Sequence, residues 1–172
     1  VPNPSPDPEA LALALLGRRE HSRAELHGKL RRKGVGDEET QAVLERLSAQ
    51  GWLDENRFVE TYVAERQRRG FGPLKIRQAL RERGVDAALI DDALEGDAEP
   101  WHRTLDALCA RRLGDPATLD ERRAYARAVR FLTGRGFPQG WVIDALKRFR
   151  SDANRAFNAD EGAALTEFDD RS

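Results

Sequence analysis

The sequence predicts an all-α protein of three tandem three-helix, helix-turn-helix-like repeats, elongated and curved. Three observations predict it. First, only 7% of the 172 residues are aromatic, Ala, Leu, Glu and Arg are prominent, and β-branched residues are few. That composition favours helix over sheet. Second, residues four apart that are apolar or small lead three times into a glycine and a further apolar residue. They run Leu26, Leu30, Gly34, Val35; then Ile76, Leu80, Gly84, Val85; then Ala128, Leu132, Gly136, Phe137. Third, charge alternates along a chain whose net charge is only −1: residues 18–33 are net +5, 36–54 net −4, 55–84 net +4, 85–100 net −6, 101–150 net +6 and 151–172 net −4. A neutral chain built this way can present a basic face and an acidic face.

The elements follow in order. Residues 1–8 are rich in proline and are expected to be flexible. Repeat one covers 9–53, repeat two 54–96 and repeat three 97–150. The first helix of each repeat is predicted near 9–19, 55–69 and 98–113. Apolar faces such as Phe58, Tyr62, Val63 and Trp101, Leu105, Leu108, Cys109 mark the last two. The middle helix opens at Ser22 with Glu25, at Gly72-Pro73, and at Thr118 with Glu121; the Ser and Thr pairs have capping-box spacing. Its apolar positions lie on one face. The glycine supplies the left-handed turn that ends it, and the next apolar residue packs back on the last turn. Lys33, Arg83 and Arg135 precede those glycines, where a basic side chain suits the helix dipole. The third helix starts at Asp37 with Glu38 and Glu39, at Asp86, and at Pro138 as a first helical residue. Leu44, Leu94 and Leu146, each ten residues past its glycine, are its core positions. Around Gly51-Trp52-Leu53-Asp54, Asp54 is a helix cap and Trp52 and Leu53 are apolar anchors.

Little chemistry is predicted. His21, His27 and His102 lack metal-ligand spacing. Cys109 sits on an apolar stripe, where an inert buried thiol is expected. No phosphate-binding glycine loop occurs, and adjacent Asp91 and Asp92 point to different sides of a helix. No catalytic, cofactor or metal site is therefore expected. No run of about 18 apolar residues suggests a membrane span, and the start lacks the basic region of a signal peptide. A single cysteine suits a reducing cytoplasm, and a monomer is expected.

The segment Gly51-Trp52-Leu53-Asp54-Glu55-Asn56-Arg57-Phe58 resembles the junction between the first two repeats of the RecX family. Gly70 to Gly84 is similar to that family's second repeat, and Arg19 to Gly34 to its first. The third repeat is looser, with Ala128 and Phe137 replacing an aliphatic residue and a valine. The resemblance implies a protein that binds the RecA–DNA filament in its helical groove. There it would damp ATP hydrolysis and strand exchange and limit filament extension or persistence. DNA repair, recombination and the SOS response are its setting.

The candidate contact residues are basic rows on the middle helices. They are Lys29, Arg32 and Lys33 in repeat one, Arg77 and Arg81 in repeat two, and Arg123, Arg127 and Arg130 in repeat three. Guanidinium groups grip carboxylate and phosphate bidentately, so RecA protein and single- or double-stranded DNA both qualify as partners. A simply solvated face is the plainer reading. An autonomous DNA-binding protein is the alternative function; near-zero net charge and acidic third helices count against it. Residues 151–172 form an acidic tail, expected to be separable and to screen the basic surface, with Phe157, Leu165 and Phe168 available for weak docking.

Overall fold

The computed structural model describes residues 7–152 and 155. Among them are nine α-helices, one 3-10 turn and no strand. In chain order these are α1 (Pro8–Leu16), α2 (Arg23–Arg32), α3 (Asp37–Ala49), α4 (Glu55–Arg68), α5 (Pro73–Arg81), α6 (Ala87–Leu94) and α7 (Glu99–Arg112). The 3-10 turn (Pro116–Asp120), α8 (Arg122–Gly134) and α9 over 139–152 complete the set. The all-α reading and its helical repeats hold. The prolines expected to be flexible fall outside the described residues up to position 6, and Pro8 already opens α1.

The three middle helices end alike. Gly34, Gly84 and Gly136 take φ of 89°, 71° and 93°. The following N–H reaches back to the helix in each case: Val35 to Leu30 at 3.2 Å, Val85 to Leu80 at 3.2 Å and Phe137 to Leu132 at 3.4 Å. The glycine N–H groups bond Arg31, Arg81 and Thr133 carbonyls. This pair of bonds is a Schellman end, which needs a residue free to adopt positive φ. Val35, Val85 and Phe137 are buried, as are Leu26, Ile76, Ala128, Leu30, Leu80 and Leu132.

Helix starts match in part. The Ser22 hydroxyl accepts from the Glu25 N–H at 3.0 Å, Asp54 from Arg57 at 3.0 Å and Asp86 from Ala88 at 2.9 Å. The Thr118–Glu121 box does not form. Thr118 lies inside the 3-10 turn and its hydroxyl donates to the Asp115 carbonyl. Asp115 caps that turn by accepting from Ala117 at 2.9 Å; with Pro116 fixing φ, a short turn forms first and α8 waits until Arg122. Asp37 sits in the first turn of α3 behind a Gly36 cap. Pro138 precedes the first residue of α9, its carbonyl accepting from Val142 at 3.1 Å. Leu94 is only half-buried, whereas Ile90 is fully buried on the same helix. α1 ends at Leu16, with the Gly17 N–H still bonding the Leu13 carbonyl at 2.9 Å.

The chain divides into two compact units: residues up to Arg66 with Ile76–Gly96, and Gln67–Lys75 with Asp97 onward. In the first unit, Ala12, Leu26, Leu30, Val43, Leu44, Leu47 and Leu53 form one core. In the second, Leu105, Leu108, Leu132, Phe137, Val142 and Leu146 lie in another, with Cys109. Each unit contains the same kind of joint. In the first, the start of α2 meets the glycine end of α5: the Ser22 hydroxyl donates to the Arg83 carbonyl at 2.7 Å. In the second, the start of α5 meets the glycine end of α8: the Gly72 and Leu74 N–H groups donate to the Arg135 and Gly136 carbonyls at 2.8 and 3.0 Å. α9 runs through 152, two residues into the segment read as a tail; the rest of that tail lies outside the described residues, apart from residue 155.

Candidate partner-binding surface

The basic rows divide into engaged and free residues. On α8 a buried stripe of Ala124, Ala128 and Leu132 faces the core. The helical period then turns Arg123, Arg127 and Arg130 outward together. All three are exposed and make no ion pair among the described residues. Arg112, in the last turn of α7, is exposed and equally free, as is Arg122. Sequence reasoning left both out, although Arg112 stands in the last turn of α7, two residues before Gly114.

In the first unit two candidates have intramolecular duties. Arg77 is ion-paired with Asp91, so Asp91 anchors α5. Lys29 is half-buried and its ammonium donates to His21 Nε2 at 2.7 Å. Burial, then the nearby Arg19 charge, lowers the Lys29 pKa. Arg32, Lys33 and Arg81 are exposed, without an ion pair among the described residues.

The junction motif is mostly scaffold. Arg57 grips the Glu20 carboxylate at 2.5 Å and 3.3 Å, and donates to the Gly51 and Trp52 carbonyls at 3.2 and 3.1 Å. Leu53 is the buried anchor expected. Trp52 is not an anchor: 57% of it is exposed. Its N–H bonds the Leu47 carbonyl as in the other glycine ends, yet its indole lies outside the core, on a backbone held firmly by Arg57. A second set joins α2 to α4 and α5: Glu25 pairs with Arg19 at 3.0 Å and Arg83 at 3.3 Å. The Arg83 and Arg66 guanidinium groups lie 4.8 and 5.0 Å from the Tyr62 ring centre. Burial alone would raise the Glu25 pKa, but the Arg19 hydrogen bond and charge, with Ser22 and Arg83, hold it below the usual carboxylate range.

The described residues include two concavities. The first unit has one of about 600 Å³ whose lining includes Arg23, His27, Gln41, Glu55 and Asp86. Glu55 accepts from the Arg23 N–H at 3.3 Å, and burial raises its pKa. The second unit has one of about 300 Å³ between the end of α7, the 3-10 turn and α8. Among the described residues no cluster of three His, Cys, Asp or Glu side chains could hold a metal, and no helix is long and apolar enough to cross a membrane. Cys109 is fully buried, and burial, with Asp106 nearby, pushes its thiol up to about 11.

These features define an all-α protein of three-helix modules with rows of exposed arginines that have no ion pair among the described residues. Residues 10–47 match the description "RecX, first three-helix domain" and residues 54–94 match "RecX, second three-helix domain". The regulatory protein RecX of Halorhodospira halophila is 45% identical over 144 residues, covering 84% of this chain and 89% of that protein. That of Pseudomonas savastanoi pv. phaseolicola is 42% identical over 127 residues, covering 74% and 81%. The crystal structure of RecX from Lactobacillus salivarius has the same fold, with a TM-score of 0.72 at 20% identity over 83% of this chain and 94% of that one. The chain belongs to the RecX family of regulatory proteins.

Proposed function

We propose that this chain is a non-catalytic, monomeric, cytoplasmic regulator of the RecA recombinase. It binds the RecA–DNA filament along its helical groove and lowers ATP hydrolysis, strand exchange, and filament extension or persistence. The observation that carries this reading is the 45% identity to a regulatory protein RecX over 84% of the chain. Three repeats over 9–53, 54–96 and 97–150 suit a partner that is itself a helical polymer. The α8 row of Arg123, Arg127 and Arg130 supports it, because exposed guanidinium groups without an internal acid are ready for carboxylate or phosphate. Arg32, Lys33 and Arg81 contribute in the same way, whereas Lys29 and Arg77 act mainly by holding their helices.

The same unpaired arginines favour a second reading, direct DNA binding. Salt separates the two. Phosphate contacts weaken steeply as salt rises, whereas a protein–protein contact with apolar content weakens less. Binding to cognate RecA–DNA filaments should persist at salt concentrations that abolish binding to bare single- and double-stranded DNA. Binding that falls with salt equally on filaments and on bare DNA would favour the second reading.

A further inference from the structure

The cleft of about 300 Å³ in the second unit has an unusual lining. Leu113, Leu119, Ala128 and Phe131 give it an apolar floor, and Arg112 and Arg127 bring positive charge. Neither arginine has an ion-pair partner among the described residues, nor does Arg123, one turn from Arg127. Such a site asks for a ligand that is apolar at its centre and anionic at its edges. A bare phosphate backbone would satisfy the arginines and leave the floor uncovered.

The chain supplies a matching ligand close by. Arg150, on α9, is ion-paired with Asp120. Asp120 ends the 3-10 turn whose Thr118 and Leu119 line the cleft, so this part of α9 lies beside it. Farther along come Leu165, Thr166, Glu167, Phe168, Asp169 and Asp170: two apolar side chains three apart, with an acid before the second and two after it. The residues from Arg150 to Leu165 span at most about 50 Å when extended, so reach is ample. A tethered segment acts at an effective concentration up to the millimolar range.

We propose that residues 165–170 dock in this cleft within the same molecule. Leu165 and Phe168 cover the apolar floor, and Glu167, Asp169 and Asp170 face Arg112, Arg123 and Arg127. Docked, the segment covers part of the α8 row, and an external anionic partner must displace it. The docking itself does not depend on who that partner is.

The test uses the full chain with Ser172→Cys carrying a nitroxide spin label. Cys109 does not compete for the label, being fully buried. In a ¹⁵N-labelled sample at low salt, the amide signals of Leu113, Leu119, Arg127 and Ala128 should broaden and recover on reduction of the label. Adding Leu165→Ala and Phe168→Ala should abolish the broadening while every charge stays in place. Arg112→Gln with Arg127→Gln should weaken it, and so should salt near 1 M, where the Debye length is about 3 Å. No broadening at the cleft would overturn the proposal, and so would broadening that survives loss of both apolar side chains. Broadening of ¹⁵N-labelled chains mixed with spin-labelled, unenriched ones would assign the cleft to a second copy and overturn docking within one molecule.

Discussion

Gly34, Gly84 and Gly136 share a left-handed backbone but face different neighbours. A Cβ at Gly34 would meet nothing within 4 Å, one at Gly84 would lie 2.5 Å from the Ala24 Cβ, and one at Gly136 would lie 2.4 Å from the Lys75 Cβ. Gly34→Ala should therefore cost only the backbone term, ~1–2 kcal/mol. Gly84→Ala and Gly136→Ala should cost more, because two helices must also separate. Urea unfolding of the three variants checks this; equal losses would mean the joints do not contribute. At His21 the prediction concerns pH. The ring is buried; its Nδ1–H donates to the Arg19 carbonyl at 2.9 Å while Nε2 accepts from Lys29. Burial lowers its pKa below the ordinary imidazole value, outweighing the bond to Arg19 that raises it. The folded state thus binds fewer protons than the unfolded one, so the stabilisation is full above about pH 6.5 and is lost as pH falls toward the lowered value. The melting temperature should drop on acidification through that window, and His21→Gln should flatten the slope. An unchanged slope would assign the acid sensitivity to other groups.

At the scale of helices, Ser22 holds two positions at once, capping α2 and donating to the Arg83 carbonyl. Ser22→Ala should cost about 1–2 kcal/mol, against ~1 kcal/mol for Asp54→Ala, which removes a cap alone. Thermal melts of both variants decide it, and a smaller loss for Ser22→Ala would deny the joint its role. Charge reversal of Arg123, Arg127 and Arg130 should leave the melt nearly unchanged while weakening action on the partner. Inhibition equal to the parent's at physiological salt would make the row a solvated face. Much of this level was readable in the sequence, because a glycine end and a four-residue apolar spacing are local signals. Leu30, Gly34 and Val35 say the same thing as Leu80, Gly84 and Val85. What could not be read depends on neighbours distant in sequence. Arg77 looks like Arg81 until Asp91 folds back on it. Trp52 looks like an anchor until Leu53 takes the buried place beside it. Thr118 has cap spacing, but Asp115 and Pro116 claim the turn before α8 can start.

The molecule as a whole combines two three-helix domains that match the RecX descriptions with a third segment in which the same glycine end recurs at Gly136. The family was readable from Gly51 to Phe58, a stretch whose Asp54 and Arg57 hold the backbone and whose Trp52 is left exposed. The proposed binding surface was less readable, because arginines spread over the whole length of the chain and only folding sorts the paired from the unpaired. On the proposed reading the chain acts on its partner's chemistry and supplies none itself. Steady-state ATP hydrolysis by the cognate RecA on single-stranded DNA, titrated with the purified full chain, reads that directly. Hydrolysis should fall as the chain is added up to a near-stoichiometric amount, with no hydrolysis by the chain alone. A flat titration on the cognate filament, or ATP hydrolysis by the isolated chain, would contradict it.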